Sequence, residues 1–252
     1  MPEIFAFAGK GGVGKTTASG LLIRYLVETV KSGPVLAVDA DPNANLNEVL
    51  GVEAYQTVGE ARELMKTKVP AGMTKETWVE LKVHESLVES KGYDLLVMGR
   101  PEGQGCYCAA NTLVKKHIDL LKGNYAYVVV DNEAGMEHMS RLVTQDVDHL
   151  FVVSDATPRG LMTAGRILQL IGELNLNITK AHVLVNRVQP GREDELTGLA
   201  RQKGLEADGV IHDDPFLSKA DTEGSSVFSL DRRSTALLDA YRIFQRILER
   251  KE

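Results

Sequence analysis

The stretch GKGGVGKT, residues 9–16, decides the fold class of this chain. It matches the pattern G-x-x-x-x-G-K-[ST], follows the apolar run EIFAFA, and precedes a helical pattern that begins near Lys15. Glycines let backbone N–H groups turn inward around a phosphate, and the amino-terminal end of a helix adds a favourable dipole. The sequence therefore predicts a phosphate-binding loop, and the alternative is a glycine-rich turn that binds nothing.

The predicted loop supplies both a charge and a metal ligand. Lys15 provides a positive charge for the phosphates, and the Thr16 hydroxyl is a ligand for Mg²⁺. A second acidic position is needed at the end of a neighbouring strand; Asp131 ends YAYVVVD, and Gly135 can bring an N–H group to the γ-phosphate. The nucleotide-binding residues predicted in the loop itself are Gly11, Gly12, Val13, Gly14, Lys15, Thr16 and Thr17.

Short apolar runs alternate with helical patterns along the rest of the chain, and this alternation is typical of βαβ units. It predicts an α/β fold: a doubly wound, mostly parallel sheet with helices on both faces. We expect one domain over residues 1–252, with a helical insertion at about 55–91. The predicted strands are EIFAFA, VLAVDA, YDLLVMG, YAYVVVD, HLFVVSD, AHVLVNRV and ADGVI.

Composition argues against several classes of protein. The net charge is −6, from 29 basic and 35 acidic residues, so no overall positive field attracts nucleic acid or anionic lipid. No apolar window is long enough for a membrane helix, and the first residues lack a cleavable signal layout, so we expect a soluble cytoplasmic protein. The carboxy-terminal STALLDAYRIFQRILERKE is amphipathic and favours a packing helix over a membrane anchor. Its expected apolar side comprises Leu237, Leu238, Tyr241, Phe244, Ile247 and Leu248.

Two further aspartates end another predicted strand. Asp39 and Asp41 lie in AVDADPN, and each alone could be a helix N-cap or a turn former. Because the carboxyl ends of parallel strands meet at one edge of the sheet, these residues and Asp131 together favour a site beside the predicted loop.

The loop sequence KGGVGKT, with the additional Lys10, resembles the deviant Walker A motif of the MinD/ParA/nitrogenase-iron-protein class of dimeric ATPases. Within that class, DNEAGMEH (131–138) and GCYCAAN (105–111) resemble CooC/AcsF-type ATPases, which mature the nickel enzymes carbon monoxide dehydrogenase and acetyl-CoA synthase. The resemblance implies three catalytic residues: Lys15, Lys10 reaching the phosphates of the partner subunit, and Asp41 orienting the attacking water. It also implies that Asn186 recognises adenine, and that Asp39 lies near the magnesium shell; an isolated Asn186 would otherwise be read as a turn residue.

Cys106 and Cys108 are the only cysteines of the chain. A disulfide between them would close a small strained ring, whereas incidental thiols and metal ligands both remain open from the spacing. A closed site needs four donors, which a twofold dimer would supply. The resemblance implies such an interfacial site for Ni²⁺, which can also accept Zn²⁺. His117 and His138 lack partner spacing and are not expected to be direct ligands.

The expected function is that of a Mg²⁺-dependent ATPase that holds nickel in one nucleotide state and passes it to an apo nickel enzyme in the other. The expected partners are a second copy of the chain and that enzyme, without nucleic acid or membrane. Two alternatives remain. An iron–sulfur scaffold usually carries a C-x-x-C pair, and a MinD- or ParA-like positioning ATPase needs a membrane-targeting tail or a basic DNA-binding surface. A nitrogenase-like reductase would carry a cysteine where Ala134 stands.

Overall fold

The computed structural model describes residues 1–67, 69–100, 107–135, 146–174 and 176–249. Its strands form one eight-stranded sheet in the order β3-β4-β2-β5-β1-β6-β7-β8. All neighbouring pairs are parallel except β3 and β4. The strands are β1 (Glu3–Gly9), β2 (Val35–Ala40), β3 (Val88–Ser90), β4 (Tyr93–Val97), β5 (Tyr127–Asn132), β6 (Asp146–Asp155), β7 (Asn177–Val188) and β8 (Gly209–His212).

Helices cover both faces of this sheet. The first α-helix continues into a π-helical segment, Leu26–Val30, and two short 3₁₀ turns span Lys122–Asn124 and Val227–Ser229. In the described part of the chain the α-helices are α1 (Lys15–Tyr25), α2 (Leu46–Leu50), α3 (Val58–Thr67), α4 (Lys75–Glu85), α5 (Tyr107–Leu121), α6 (Pro158–Glu173), α7 (Glu193–Gln202), α8 (Pro215–Glu223) and α9 (Thr235–Glu249).

Burial explains why the central strands are apolar at consecutive positions. Along β1, Phe5 and Phe7 pack into the core layer that contains α1 and α9, whereas Ala6 and Ala8 face the opposite layer, which contains α6. A strand covered on both sides has no polar face, so alternation disappears. The predicted doubly wound α/β fold is confirmed.

The strand order places the loop after β1 at a topological switch point. From β1 the order runs through β5 and β2 on one side and through β6 and β7 on the other. In open parallel sheets, ligands bind beyond the carboxyl ends of the strands at such a point. Asp39 and Asp131 are direct register partners on β2 and β5, so both lie at this edge.

Two details differ from the sequence predictions. The segment expected to be a helical insertion contains α3 and α4 but also the edge strand β3, which pairs antiparallel with β4. On α9, the predicted Leu237, Phe244 and Ile247 are buried, but Leu238 is 42% exposed. The buried face runs through Ala240 and Ile243, and Leu238 lies outside it. The interpretation of residues 1–252 as one domain stays a prediction. Within the described residues, no helix has the length and apolar character required to cross a membrane.

Candidate nucleotide-binding site

The loop between β1 and α1 requires glycine at two positions. Gly9 and Gly14 have φ values of 153° and 90°, which side chains rarely adopt. A Cβ atom on Gly9 would lie 2.3 Å from the carbonyl oxygen of Val153, and one on Gly14 would lie 2.3 Å from Nδ2 of Asn186. The loop is therefore pressed against β6 and β7, and its backbone is fixed before any ligand binds.

Lys15 lies at the start of α1 and is only 7% exposed. Its Nζ atom donates a hydrogen bond to the carbonyl oxygen of Lys10 at 3.4 Å. Burial lowers the pKa of Lys15, while the charges of Asp131 and Asp41 act in the opposite direction. A buried ammonium with one long hydrogen bond is poised to gain from an anionic ligand.

A cavity of about 490 Å³ opens beside the loop, within the range of volumes that hold small ligands. Of the predicted residues, it is lined by Gly11, Gly12, Gly14, Lys15, Thr16, Thr17 and Asp41. The wall opposite the loop comes from α2 and α8, and includes Asn45, Glu48, Val49, Leu217, Ala220 and Asp221.

Two buried carboxylates lie behind the loop. Asp39 is fully buried, and its two oxygens accept the backbone N–H groups of Asp41 at 3.1 Å and Leu46 at 2.9 Å. Burial raises its pKa to about 6, against these hydrogen bonds. This geometry lets Asp39 hold the turn that carries Asp41, and its place in the magnesium shell stays a prediction.

Asp131 has an unsatisfied oxygen. Burial raises its pKa to about 7, the nearby Asp39 adds to the effect, and a hydrogen bond from Thr16 opposes it. Its Oδ1 atom is buried and has no hydrogen-bond partner among the described residues. A buried carboxylate oxygen without a partner is costly, and a hydrated cation would satisfy it. The Thr16 and Asp131 pair therefore fits Mg²⁺.

Asp41 is held by a local hydrogen-bond network. Its Oδ1 atom accepts the backbone N–H of Asn43 at 2.8 Å and the side-chain Nδ2 of Asn43 at 3.0 Å. Asn43 in turn accepts a hydrogen bond from Arg100, in the segment that follows β4. Asp41 and Asn43 both line the cavity, so this carboxylate is oriented toward the space beside the phosphate-binding loop.

Asn186 lies under the loop. Its Nδ2 atom donates to the carbonyl oxygen of Val13 at 2.9 Å, and its Oδ1 atom accepts the N–H of Arg187 at 3.0 Å. The residue is 6% exposed and does not reach the wall of the cavity. The geometry gives Asn186 a role in holding the loop, and its predicted contact with adenine stays a prediction.

Gly135 contacts the backbone of the loop, whereas the side chain of Lys10 is exposed. The N–H of Gly135 donates to the carbonyl oxygen of Gly9 at 3.4 Å, so its predicted contact with the γ-phosphate needs this weak bond to break. The side chain of Lys10 is exposed at the edge of the loop. Both assignments stay predictions.

Sequence reasoning missed Arg187 and the wall from α8. Arg187 lines the cavity, and its Nη1 atom donates to the carbonyl oxygen of Gly12 at 3.1 Å. It has a φ of 57°, and no residue pattern signals a left-handed arginine. The start of α8 was readable, because Asp214 caps a helix with Pro215 in its first turn, but its position over the loop depends on tertiary packing.

The structure describes only part of the predicted nickel site. Cys106 lies outside the described residues, as do residues 136–138, which include His138. Cys108 is the second residue of α5, and its side chain and that of His117 also lie outside the description. In the part of the chain that is described, no group of three or more His, Cys, Asp or Glu side chains could hold a metal ion. The Cys-X-Cys site therefore stays a prediction.

Comparison with known proteins identifies the family of the chain. The model of the CobQ/CobB/MinD/ParA nucleotide binding domain matches residues 4–227. An ATP-binding protein of Methanocaldococcus jannaschii is 43% identical over 98% of this chain and 99% of the relative. The carbon monoxide dehydrogenase accessory protein CooC of Rhodospirillum rubrum is 32% identical over 97% of this chain and 96% of the relative.

Solved structures show the same fold. The septum site-determining protein MinD of Pyrococcus horikoshii, in complex with Mg-ADP, has a TM-score of 0.71 at 20% identity, covering 98% of this chain and 96% of that chain. Together with the family match, this confirms the predicted P-loop NTPase fold and ATP-binding class of enzyme.

Proposed function

Because the chain belongs to the CobQ/CobB/MinD/ParA family of nucleotide-binding proteins, we propose that it is a Mg²⁺-dependent ATPase that binds nickel and delivers it to an enzyme of the carbon monoxide dehydrogenase/acetyl-CoA synthase type. The broader assignment, an ATPase of the MinD/ParA family, rests on the family match and the fold. The delivery of nickel, the client enzyme, the cytoplasmic setting and the homodimer are the proposed part.

The observation that carries the nucleotide site is the pairing of a buried cation with a buried, unsatisfied carboxylate at the mouth of one glycine loop. Lys15 and the N–H groups of the loop would neutralise the phosphates, and Thr16 with Asp131 would hold Mg²⁺. When bound, Mg²⁺ supplies positive charge that offsets the charge on the phosphate oxygens.

Asp41 is the residue placed to act on water. Its carboxylate is half-buried, lines the cavity and is held by Asn43, so it can accept a hydrogen bond from a water molecule beside the phosphate group. Water attacks the terminal phosphorus, the bond to the leaving oxygen of ADP breaks, and the proton of the water passes to Asp41 or to the released phosphate. Little covalent chemistry is required of the protein, since positioning and charge account for most of the catalysis.

The nickel part of the proposal rests on the two cysteines and one relative. CooC of Rhodospirillum rubrum, named for carbon monoxide dehydrogenase, matches nearly the whole chain. Cys106 and Cys108 are the only thiols in the sequence, and a pair from each of two subunits makes the four soft donors of an S₄ site. Nickel is here a cargo, and ATP binding would change the relation of the two subunits that hold it.

The test is a measurement of Ni²⁺ binding by reduced protein with and without Mg-ATP, using equilibrium dialysis and sedimentation. We expect one Ni²⁺ per dimer, and a loss of affinity of roughly 100-fold or more in Cys106→Ser/Cys108→Ser. This variant should bind Mg-ADP as the natural chain does, which shows that it is folded. Lys15→Ala is the matched control, because it should keep nickel and lose only the response to ATP. Undiminished nickel binding in the double-serine variant would refute the shared thiolate site.

A further inference from the structure

A second cavity, of about 740 Å³, lies at the other end of the helix that begins at the phosphate-binding loop. One wall is the π-helical segment after α1, represented by Val27 and Glu28. The others are the end of α2, the turn between β3 and β4, and the 3₁₀ turn Val227–Ser229. Among the described residues, none of the proposed nucleotide ligands lines it, so it requires a separate explanation.

The cavity has an aromatic wall, in which the half-buried Phe228 is backed by the buried ring of Tyr93. Tyr93 and Phe228 both line it, and their rings are stacked with centroids 5.4 Å apart and an interplanar angle of 9°. The Tyr93 hydroxyl donates to the carbonyl oxygen of Leu50 at 3.5 Å, which helps to fix the ring. Val27 and Val52 add aliphatic surface. A planar apolar group would find a rigid surface of matching shape here.

The charged residues around this surface are predominantly cationic, although the protein as a whole has a net charge of −6. Lys31, Lys91 and Arg232 line the cavity, and none forms an ion pair with another described residue. Glu28 is the only acidic residue of the lining within the described part of the chain, and its carboxylate is paired with Arg24 at 3.1 Å. Three cations without an ion-pair partner among the described residues therefore surround an apolar surface, which favours an anion.

The walls are tightly built. The N–H of Lys31 donates to the carbonyl oxygen of Leu26 at 2.9 Å, closing a π-type turn, and such turns are frequent at functional sites. A Cβ atom on Gly51 would lie 2.6 Å from Cβ of Ser226, and one on Gly92 would lie 2.8 Å from Cγ1 of Val27. These contacts fix the end of α2 against the 3₁₀ turn, and the turn between β3 and β4 against the π-helical segment, so the cavity is preformed.

We propose that this second cavity binds a small aromatic anion, with its ring against Phe228 and its charged group near Lys91 and Arg232. The occupant would contact elements that also line the nucleotide cavity. In α2, Val49 faces the nucleotide cavity while Leu50, the next residue, faces the second one. In the 3₁₀ turn, Val227 lines the nucleotide cavity and Phe228 lines the second one. The proposal does not depend on the nickel function.

The experiment is a fluorescence titration with 8-anilinonaphthalene-1-sulfonate, an aromatic anion, in the presence of saturating Mg-ADP. We expect one saturable site whose dissociation constant rises about tenfold in Lys91→Ala/Arg232→Ala, which corresponds to about 1.4 kcal/mol for the two lost charges together. The matched control is Arg201→Ala/Lys203→Ala, an exposed pair at the carboxy-terminal end of α7 that does not line the cavity. It should bind the probe as the natural chain does.

Two results would overturn the proposal. One is an equal loss of affinity in both double variants, which would indicate a response to net charge alone. The other is displacement of the probe by inorganic phosphate at equal concentration, because an anion without an aromatic ring should compete poorly. Val52→Asp places a negative charge on the apolar wall and should also weaken binding of the probe. Thermal unfolding of this variant shows whether it is folded.

Discussion

At the scale of single residues, Lys15 is the most sensitive point of the nucleotide site. Its ammonium group is buried beside the cavity and has only one long hydrogen bond to the backbone. We expect Lys15→Ala to lower Mg-ADP affinity by about 100-fold, because charge-assisted contacts with phosphate are lost. Calorimetric titration measures this. Lys10→Ala is the control, since the exposed Lys10 should leave affinity within one protomer unchanged; equal loss in both variants would contradict the assignment.

A substitution at Asp41 should lower ATP hydrolysis without changing nucleotide binding. Asp41→Asn keeps the size of the side chain but removes its negative charge, so we expect Mg-ADP to bind normally while ATP hydrolysis falls by about 100-fold. Phosphate release measured under saturating ATP tests this. Asp221→Asn changes another carboxylate of the same cavity and should leave turnover within a few-fold of the natural value. Normal hydrolysis by Asp41→Asn would exclude Asp41 as the residue that acts on water.

Residues fixed by a local motif were predictable from the sequence, whereas residues positioned by contacts between distant parts of the chain were not. The loop glycines and Lys15 were predictable because one contiguous motif fixes the backbone, and the structure gives Gly9 and Gly14 the close contacts that only glycine tolerates. Arg187 was not predictable. Its position depends on a left-handed backbone at the end of β7 and on contact with Gly12, which lies far away in sequence.

At the scale of elements, His212 joins β8 to two helices. Its Nδ1 atom lies 2.7 Å from Oδ2 of Asp239 on α9, and its Nε2 atom lies 2.7 Å from Oε1 of Glu193 on α7. A protonated imidazole carries an N–H on both ring nitrogens, so in that state His212 can donate a hydrogen bond to each carboxylate. Burial disfavours this charge, but the hydrogen bonds to Asp239 and Glu193 prevail and raise the pKa of His212.

The contacts of His212 with Asp239 and Glu193 make the free energy of unfolding depend on pH. Because the pKa of His212 is higher in the folded state, its contribution is fully present below the unfolded value and is lost as pH rises through the folded value. We expect His212→Gln to lower the free energy of unfolding by about 1–2 kcal/mol at pH 6, and by less at pH 9. Urea unfolding at both values measures the difference. His84→Gln, on the exposed surface of α4, should cause no pH-dependent change in the free energy of unfolding. A loss of stability in His212→Gln that is the same at both pH values would contradict the charged contacts of His212.

Elements with a strong hydrophobic pattern were predictable, and short edge elements were not. The buried strands β1, β2 and β5 consist of consecutive apolar residues, and that composition is required by helices on both faces. The three residues of β3 carry no pattern, because an edge strand with partial exposure needs none. The same reasoning explains Leu238, since the buried face of α9 is set by the layer beneath it.

At the scale of the whole molecule, the exposed Lys10 is hard to explain within one protomer. Its side chain is exposed at the edge of the nucleotide loop and makes no hydrogen bond or ion pair with another described residue. An exposed lysine beside a site for phosphates suits a twofold dimer in which each Lys10 reaches the nucleotide of the other protomer. Bound ATP would then hold the two protomers together by charge attraction.

We therefore expect Lys10→Ala to abolish dimerisation driven by Mg-ATP, measured by sedimentation velocity. The comparison should be made in Asp41→Asn protein, which keeps ATP intact during the run. Lys219→Ala, which removes another exposed lysine, should dimerise normally, and unchanged Mg-ADP affinity in Lys10→Ala shows that the loop is intact. Loss of one charge on each side of a twofold axis removes two contacts per dimer, so the effect on the dimer constant should be on the order of 100-fold even if each contact contributes only about 1.4 kcal/mol. An undiminished dimer in Lys10→Ala protein with normal ADP binding would exclude the contact across the interface.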